Sequence, residues 1–356
     1  MKLLRDWFER HFSNPQVVLL TVLLVILTAA IVFLANMLAP LVAAIVIAYL
    51  LQGLVARLKR IGIPHLAAVI AVFTAFLVAL LLMAFVLLPL LLGQVTQLFG
   101  QLPDIMNQTR LLLMELPERY PNFVTQEQAD QFLRRLQAEV FILTQQLLSY
   151  SFSSLVALIT MVVYLILVPF LVFFLVKDRD LLVQWFTSFL PQERELATQV
   201  WNEVDAQIGN FVRGKAIEIL IVAAVTFVVF ALFDLQYSAL LAAITGLSVL
   251  VPYIGAAVVM LPVGIAAYLQ WGMSSELLWV LIAYGIIQAL DGNILATILF
   301  SEAVNLHPVA IIAAILFFGG LWGFWGVFFA VPLATVIQAV LRAWPRSRSA
   351  GRMAAQ

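Results

Sequence analysis

Asp291 is the residue of this chain best placed to do chemistry. It sits in Gln288-Ala-Leu-Asp-Gly-Asn293, between the apolar runs Leu277–Leu290 and Ile294–Phe300. From Ala216 to Leu341 there is no Lys and no Arg, and the acids are Glu218, Asp234, Glu276, Asp291 and Glu302. An ionisable group at membrane depth is costly and usually faces a bundle interior or a water-filled cavity, so it is a functional-site hypothesis by default. Two roles suit Asp291. Its carboxylate can cap a break in the helix by accepting backbone N–H groups, because Gly292 and Asn293 are poor helix formers. Alternatively it contacts a substrate or cation at a discontinuous helix. Asn293 can share either role.

Other chemistry is harder to find. Gly209-Asn-Phe-Val-Arg-Gly-Lys215 has the spacing of a phosphate-binding loop. The next residue is Ala216, where Ser or Thr would hold magnesium, and no apolar strand precedes it, so the motif lacks its context. The reading is a helix end with Arg213 and Lys215 facing the cytoplasm, and no ATP drive. His11, His65 and His307 lie far apart and form no metal-ligand spacing. His307 precedes Pro308 at a break between apolar runs. It suits a cap, or a proton-linked role shared with Glu302, since His titrates near neutral pH. Glu218 lies one turn into a span and reads as an interfacial charge near Lys215. Asp234 and Glu276 fall at span ends. There is no nucleophile motif and no His-Glu-x-x-His, so neither an enzyme nor a cofactor is expected. With no cysteine, disulfides and thiol catalysis are excluded.

These residues are embedded in a membrane chain. Of 356 residues 64% are hydrophobic and 11% charged, with mean hydropathy +1.07; soluble chains carry about 25% charged residues. A formal net charge of zero gives no sign of nucleic-acid binding. The composition and apolar runs predict an all-α, polytopic membrane protein of about eight membrane segments, two of them re-entrant or bent hairpins.

The expected organisation is as follows. Residues 1–16 form an interfacial helix, with Trp7, Phe8 and Phe12 among Lys2, Arg5 and Arg10. Residues 17–92 hold the first spans: Val17–Leu38 and Leu41–Ala56 as a hairpin turning at Asn36–Pro40, then Leu66–Leu92. Residues 93–154 are a periplasmic helical insertion. Within it Thr125 and Gln128 fit a capping box, and Phe132, Leu136, Val140, Leu143 and Leu147 recur at helical spacing. Residues 155–176 are a span and 177–215 a cytoplasmic helical linker. Residues 216–341 are a core of broken helices, and 342–356 a basic cytoplasmic tail.

Inside the core, Ser238–Leu250 is too short to cross and is joined to Ala257–Gln270 by Val251-Pro-Tyr-Ile-Gly-Ala256. Leu277–Phe300 is broken at Asp291–Asn293. Val309–Leu341 bends at Gly319-Gly-Leu-Trp-Gly-Phe-Trp-Gly326. Irregular backbone at membrane depth is tolerated only in a protein interior or beside a cavity. Pro252, Tyr253, Gly255, Gln288, Asp291 and Asn293 are therefore expected to line a path for a small solute or cation. Gly292, Gly319, Gly320, Gly323, Gly326 and Pro332 are expected to bend or gate it. With both termini on one face, 15 of the basic residues share that face and four lie on the other. Basic residues stay inside, so the termini are read as cytoplasmic.

The ordered set of landmarks resembles the autoinducer-2 exporter family of bacterial membrane proteins. It consists of Leu38-Ala-Pro-Leu41 with Ala48-Tyr-Leu-Leu51, Phe173-Phe-Leu-Val-Lys-Asp-Arg-Asp180, Phe211-Val-Arg-Gly-Lys215, Val251-Pro-Tyr-Ile-Gly255, Gln288-Ala-Leu-Asp-Gly-Asn293, Ser301-Glu-Ala-Val-Asn-Leu-His-Pro308 and Gly319 through Ala334. Departures are Ala256, Gly292 and Ala296-Thr297, where family members often carry Pro, Asn and Pro. The resemblance implies an inner-membrane exporter of a small solute acting as a homo-oligomer, a pentamer by analogy. Two alternatives stand beside export: sodium- or lithium-proton exchange, attributed to relatives and suited by Asp291 binding a cation and a proton in turn, and, from another class, a non-transporting scaffold that assembles envelope proteins through Gly93–Ser154. The partners implied are solute or cation, lipid bilayer and further copies of the chain, with no nucleic acid.

Overall fold

In the computed structural model, residues 15–101, 155–191, 194–252, 254–300 and 307–343 are described, with scattered positions from 110 to 142. The described residues are helical throughout, without strands. The helices are α1 (Pro15–Arg60), α2 (His65–Leu82), α3 (Leu88–Gly100), α4 (Leu155–Lys177), α5 (Arg179–Ser188), α6 (Glu195–Leu232), α7 (Ser238–Ser248), α8 (Ile254–Trp271), α9 (Ser275–Leu290), α10 (Ala296–Phe300) and α11 (Pro308–Ala343). Among the described residues, six apolar stretches are long enough to cross a membrane. The protein is a polytopic α-helical membrane protein.

Two π-helical turns join helices end to end. Met83–Leu87 links α2 to α3, and Asp291–Leu295 links α9 to α10. The first lies just before Pro89. Proline has no N–H to give, so one carbonyl loses its ordinary partner. The wider turn takes up the mismatch without opening the helix; Leu88 donates to the Met83 carbonyl.

Three expectations change. The hairpin at Asn36–Pro40 is not made, because α1 runs unbroken through Pro40. Pro costs one hydrogen bond, whereas a turn in hydrocarbon would strand several, so the helix persists. At about 1.5 Å per residue α1 is roughly 69 Å long, more than twice a hydrocarbon core of about 30 Å. Pro15 and Arg60 thus lie at opposite ends, and the cytoplasmic reading of the N-terminus, which relied on that turn, loses its support. At Asp291–Asn293 the chain makes a π turn instead of a break. The run Gly209–Lys215 is not a helix end but the middle of α6.

The bends around α7, α8 and α11 are sharp. An added Cβ on Gly255 would lie 1.9 Å from the Ser248 carbonyl oxygen, so the α7–α8 connection admits only glycine there. In α11 the backbone leaves the helix at Gly323, with φ 58° and ψ −134°. A Cβ on Gly326 would fall 1.8 Å from the Phe318 oxygen, and one on Gly319 2.8 Å from Val327 Cγ2. Residues eight apart meet only if the helix folds back. Ala314 and Ile315 pack on Ala330 across this hairpin, with Ile311 and Ala334 alongside.

Packing divides into local cores. Ala44, Ala48, Val55, Ala68, Val69 and Val172 join α1, α2 and α4. Phe230, Leu241, Val263, Val280 and Tyr284 join α6, α7, α8 and α9. Phe211, Val212 and Val331 fasten α6 to α11, against Tyr49 of α1 and Phe300 of α10. Small residues at these crossings let helices approach closely, which matters where lipid removes the hydrophobic drive. Gly246 marks one such crossing: a Cβ there would meet Ala223 Cβ at 2.7 Å and the Ile219 oxygen at 2.8 Å.

The capping box forms as expected. Thr125 N–H donates to Gln128 Oε1 at 3.1 Å and Gln128 N–H to Thr125 Oγ1 at 3.3 Å. Of the stripe beyond it, Phe132 is exposed and Leu133 buried; Leu136, Val140, Leu143 and Leu147 lie outside the described residues, as do residues 1–14 and the tail beyond Ala343.

Candidate functional site

The site begins on α6. Lys215 and Glu218 stand three residues apart on one face, a spacing that brings side chains together. Lys215 Nζ lies 2.7 Å from Glu218 Oε2, and the two side chains are 8% and 3% exposed. Glu218 Oε2 has no well-aligned hydrogen bond, so charge holds the pair. Lys215 also donates to the Val249 carbonyl at 2.9 Å. Its ammonium sits 5.1 Å from the centre of the Phe300 ring. Thus the last base before the cation-free stretch turns inward, not toward the cytoplasm. It touches α6, the end of α7 and α10 at once.

A second polar row descends α9. Tyr284, Gln288 and Asp291 follow one another at helical spacing and share a face. The Tyr284 hydroxyl donates to the Ala256 carbonyl at 2.7 Å, tying α9 to the Pro252–Gly255 bend. Gln288 Nε2 and Asp291 Oδ1 are buried atoms without a well-aligned hydrogen bond. The π turn packs against α6. Lys215 there lies within electrostatic reach of Asp291, which in turn repels Glu218. An extra residue in a π turn shifts the face that a side chain presents, and such turns are frequent at functional sites.

The other expected residues divide. Pro252 is half-buried and Gly255 buried at the bend; Tyr253 and Glu302 lie outside the described residues. Gly292 and Asn293 are exposed. Asn293 Nδ2 donates to the Ala289 carbonyl of its own helix at 2.8 Å, away from the row. Asp291 itself has helical backbone angles and is no cap. Gly319, Gly320, Gly323 and Gly326 form the α11 hairpin, with Pro332 buried further along the returning arm. His307 is exposed and caps α11: its Nδ1 accepts from the Val309 N–H at 3.3 Å. Sequence reasoning missed Lys215 and Glu218 as members of the site. The signal was there in their spacing of three at the head of an apolar run.

A separate network closes the basic end. Tyr49 donates to Asp205 Oδ1 at 2.6 Å and Arg179 to Asp205 Oδ2 at 2.8 Å. Arg213 donates to Asn210 at 2.9 Å and to the Tyr49 carbonyl at 3.5 Å. A Cβ on Gly53 would stand 2.9 Å from Arg213 Cδ and one on Gly209 3.1 Å from Nη2, so both glycines make room for this side chain. The network joins α1, the head of α5 and α6.

Spans joined by tight bends around a buried ion pair are a construction that suits a membrane transporter. The chain belongs to the AI-2E transporter family, whose model, described as AI-2E family transporter, matches residues 20–346. It is 45% identical over 345 residues to "Putative permease PerM" of Escherichia coli (strain K12), covering 97% of this chain and 98% of that one. It is 26% identical over 334 residues to "AI-2 transport protein TqsA" of the same strain, covering 92% of each.

Proposed function

We propose that the chain is a secondary transporter that exports a small polar solute through its C-terminal half, in the bacterial cytoplasmic membrane, as a homo-oligomer. One observation carries this reading: the buried Lys215–Glu218 pair lies against the α7–α8 bend, and half-buried Asp291, its Oδ1 without a hydrogen bond, stands on the π turn that packs against the same helix. A neutral, sugar-like ligand of the autoinducer-2 kind needs such hydrogen-bond partners. Drive by ATP within the chain lacks a basis, because Gly209–Lys215 is helical. From Val78 to Leu90 no side chain is buried, which leaves an apolar face for lipid or a second copy.

Charge balance supports a second reading, cation/proton exchange. Lys215, Glu218 and Asp291 sum to one net negative charge when ionised. One cation or one proton completes the balance, and alternating the two would couple their movements.

Purified protein in liposomes separates the readings. Efflux of autoinducer-2 and sodium-driven proton flux are measured for wild type and Asp291→Asn. Export predicts solute efflux that the substitution lowers at least about tenfold, as expected for loss of a charged contact worth more than about 1.4 kcal/mol. Exchange predicts proton flux that the substitution abolishes. If the folded variant matches wild type in both, Asp291 is not part of the path.

A further inference from the structure

Helix α5 carries an apolar face that is left exposed among the described residues. Placed at 100° per residue, Leu181, Leu182, Trp185, Phe186 and Phe189 fall on one side, and Asp180, Gln184, Thr187 and Ser188 on the other. Trp185, Phe186 and Phe189 are each more than half exposed. Their rings pack on one another at 4.9 and 5.0 Å and form a single patch.

The placement of α5 identifies what covers this patch. Only Asp178 separates it from the last residue of α4, an apolar helix of 23 residues ending at Lys177. A helix that starts where a span stops begins at the boundary between hydrocarbon and water. Both ends are tied back to the protein. Arg179 is paired with Asp205 of α6 at 2.8 Å. Arg194 donates to the Thr187 carbonyl at 2.6 Å and satisfies the C-terminal end. Basic side chains surround the same level. His65 Nε2 lies 3.1 Å from the Lys177 carbonyl, so the α1–α2 turn adjoins the end of α4. Arg57, Lys59 and Arg60, all exposed, precede that turn.

We propose that α5 is an interfacial helix. It lies in the plane of the bilayer surface, with Trp185, Phe186 and Phe189 immersed at the headgroup–acyl boundary. Arg57, Lys59, Arg60 and Lys177 draw anionic headgroups to the same level. An amphipathic helix with aromatic residues on its apolar face, beside basic side chains, is held by apolar burial and by attraction to anionic lipid. Because Arg179 belongs to the Asp205–Tyr49 network, the helix would report the state of the leaflet to the α1–α6 contact.

The chain has no cysteine, so single-cysteine spin labels need no background removal. Phe186→Cys and Gln184→Cys, both at exposed positions, are labelled in the full chain and placed in bilayer nanodiscs with and without phosphatidylglycerol. Collision rates with oxygen and with a water-soluble nickel chelate give depth. The expected result is an oxygen-to-nickel ratio higher at 186 than at 184, and a larger difference when phosphatidylglycerol is present. Equal, water-like ratios at both positions overturn the proposal. So does a spectrum at 186 broadened by a neighbouring label that sharpens on dilution with unlabelled chain, since a second copy then covers the face.

Discussion

Lys215 must satisfy several neighbours at once. It faces Glu218, the Val249 carbonyl, the Phe300 ring and the field of Asp291. Removing one partner of a buried pair strands the other, at about 3–5 kcal/mol, whereas replacing both by apolar groups is often close to neutral. Lys215→Met should therefore lower stability in detergent by about that amount. Lys215→Met with Glu218→Met should recover most of it. Thermal unfolding of the single and double variants checks this; a double variant as unstable as the single would mean that the pair is not what holds this region. Sequence reasoning reached Asp291 because a lone acid in an apolar stretch is conspicuous. It left Asp291 without a cation because the nearest base is distant along the chain. Only the packing of α6 against the π turn brings Lys215 to it, and no local pattern reports that contact.

At the scale of the helices, glycines decide which surfaces meet. Gly246 and Gly285 are both helical, but their surroundings are opposite. Around Gly285 an added Cβ meets nothing within 4 Å, while at Gly246 it meets Ala223 and the Ile219 oxygen below 3 Å. Alanine is favoured over glycine in a helix by about 0.5–1 kcal/mol, and overpacking costs about 1–3 kcal/mol. Gly285→Ala should stabilise and Gly246→Ala destabilise. Paired melting curves give the two signs, and the same sign for both would refute the crossing at Gly246. The bends at Pro252–Gly255 and Gly319–Gly326 were legible in the sequence because glycine and proline cluster there. The turn at Asn36–Pro40 was misread for the same reason: one proline weakens a helix in an apolar setting without ending it. The π turn at Asp291 lay between these cases, since Gly292 and Asn293 marked a disturbance but not its form.

For the molecule as a whole, His65 and the Lys177 carbonyl bind two termini of spans to one level. The α1–α2 turn and α5 must then face the same side of the membrane. Cysteines placed at Ile61 and at Gln184, both exposed, should react with an impermeant maleimide from one side of sealed vesicles only, and from the same side. Labelling from opposite sides would exclude the packing of α1, α2 and α4. The membrane class and the helical fold were plain from hydropathy. The path of α1 was not, because hydropathy is blind to whether a long apolar run turns or continues.

The π turn at Met83–Leu87 sets a rotational phase. Downstream of it, Gln94 Oε1 accepts the Leu240 N–H at 2.8 Å, so α3 supplies a partner to the start of α7. If all five residues of Met83–Leu87 wound as ordinary α-helix, everything beyond would be rotated by roughly 100° about the axis. Gln94 would swing off Leu240, and Leu91, Val95 and Leu98, which pack on the core of α6 to α9, would turn toward lipid. The wide turn works as a key cut to one lock: by absorbing a surplus residue it keeps a helix from the first half of the chain in phase with the half that holds the charges.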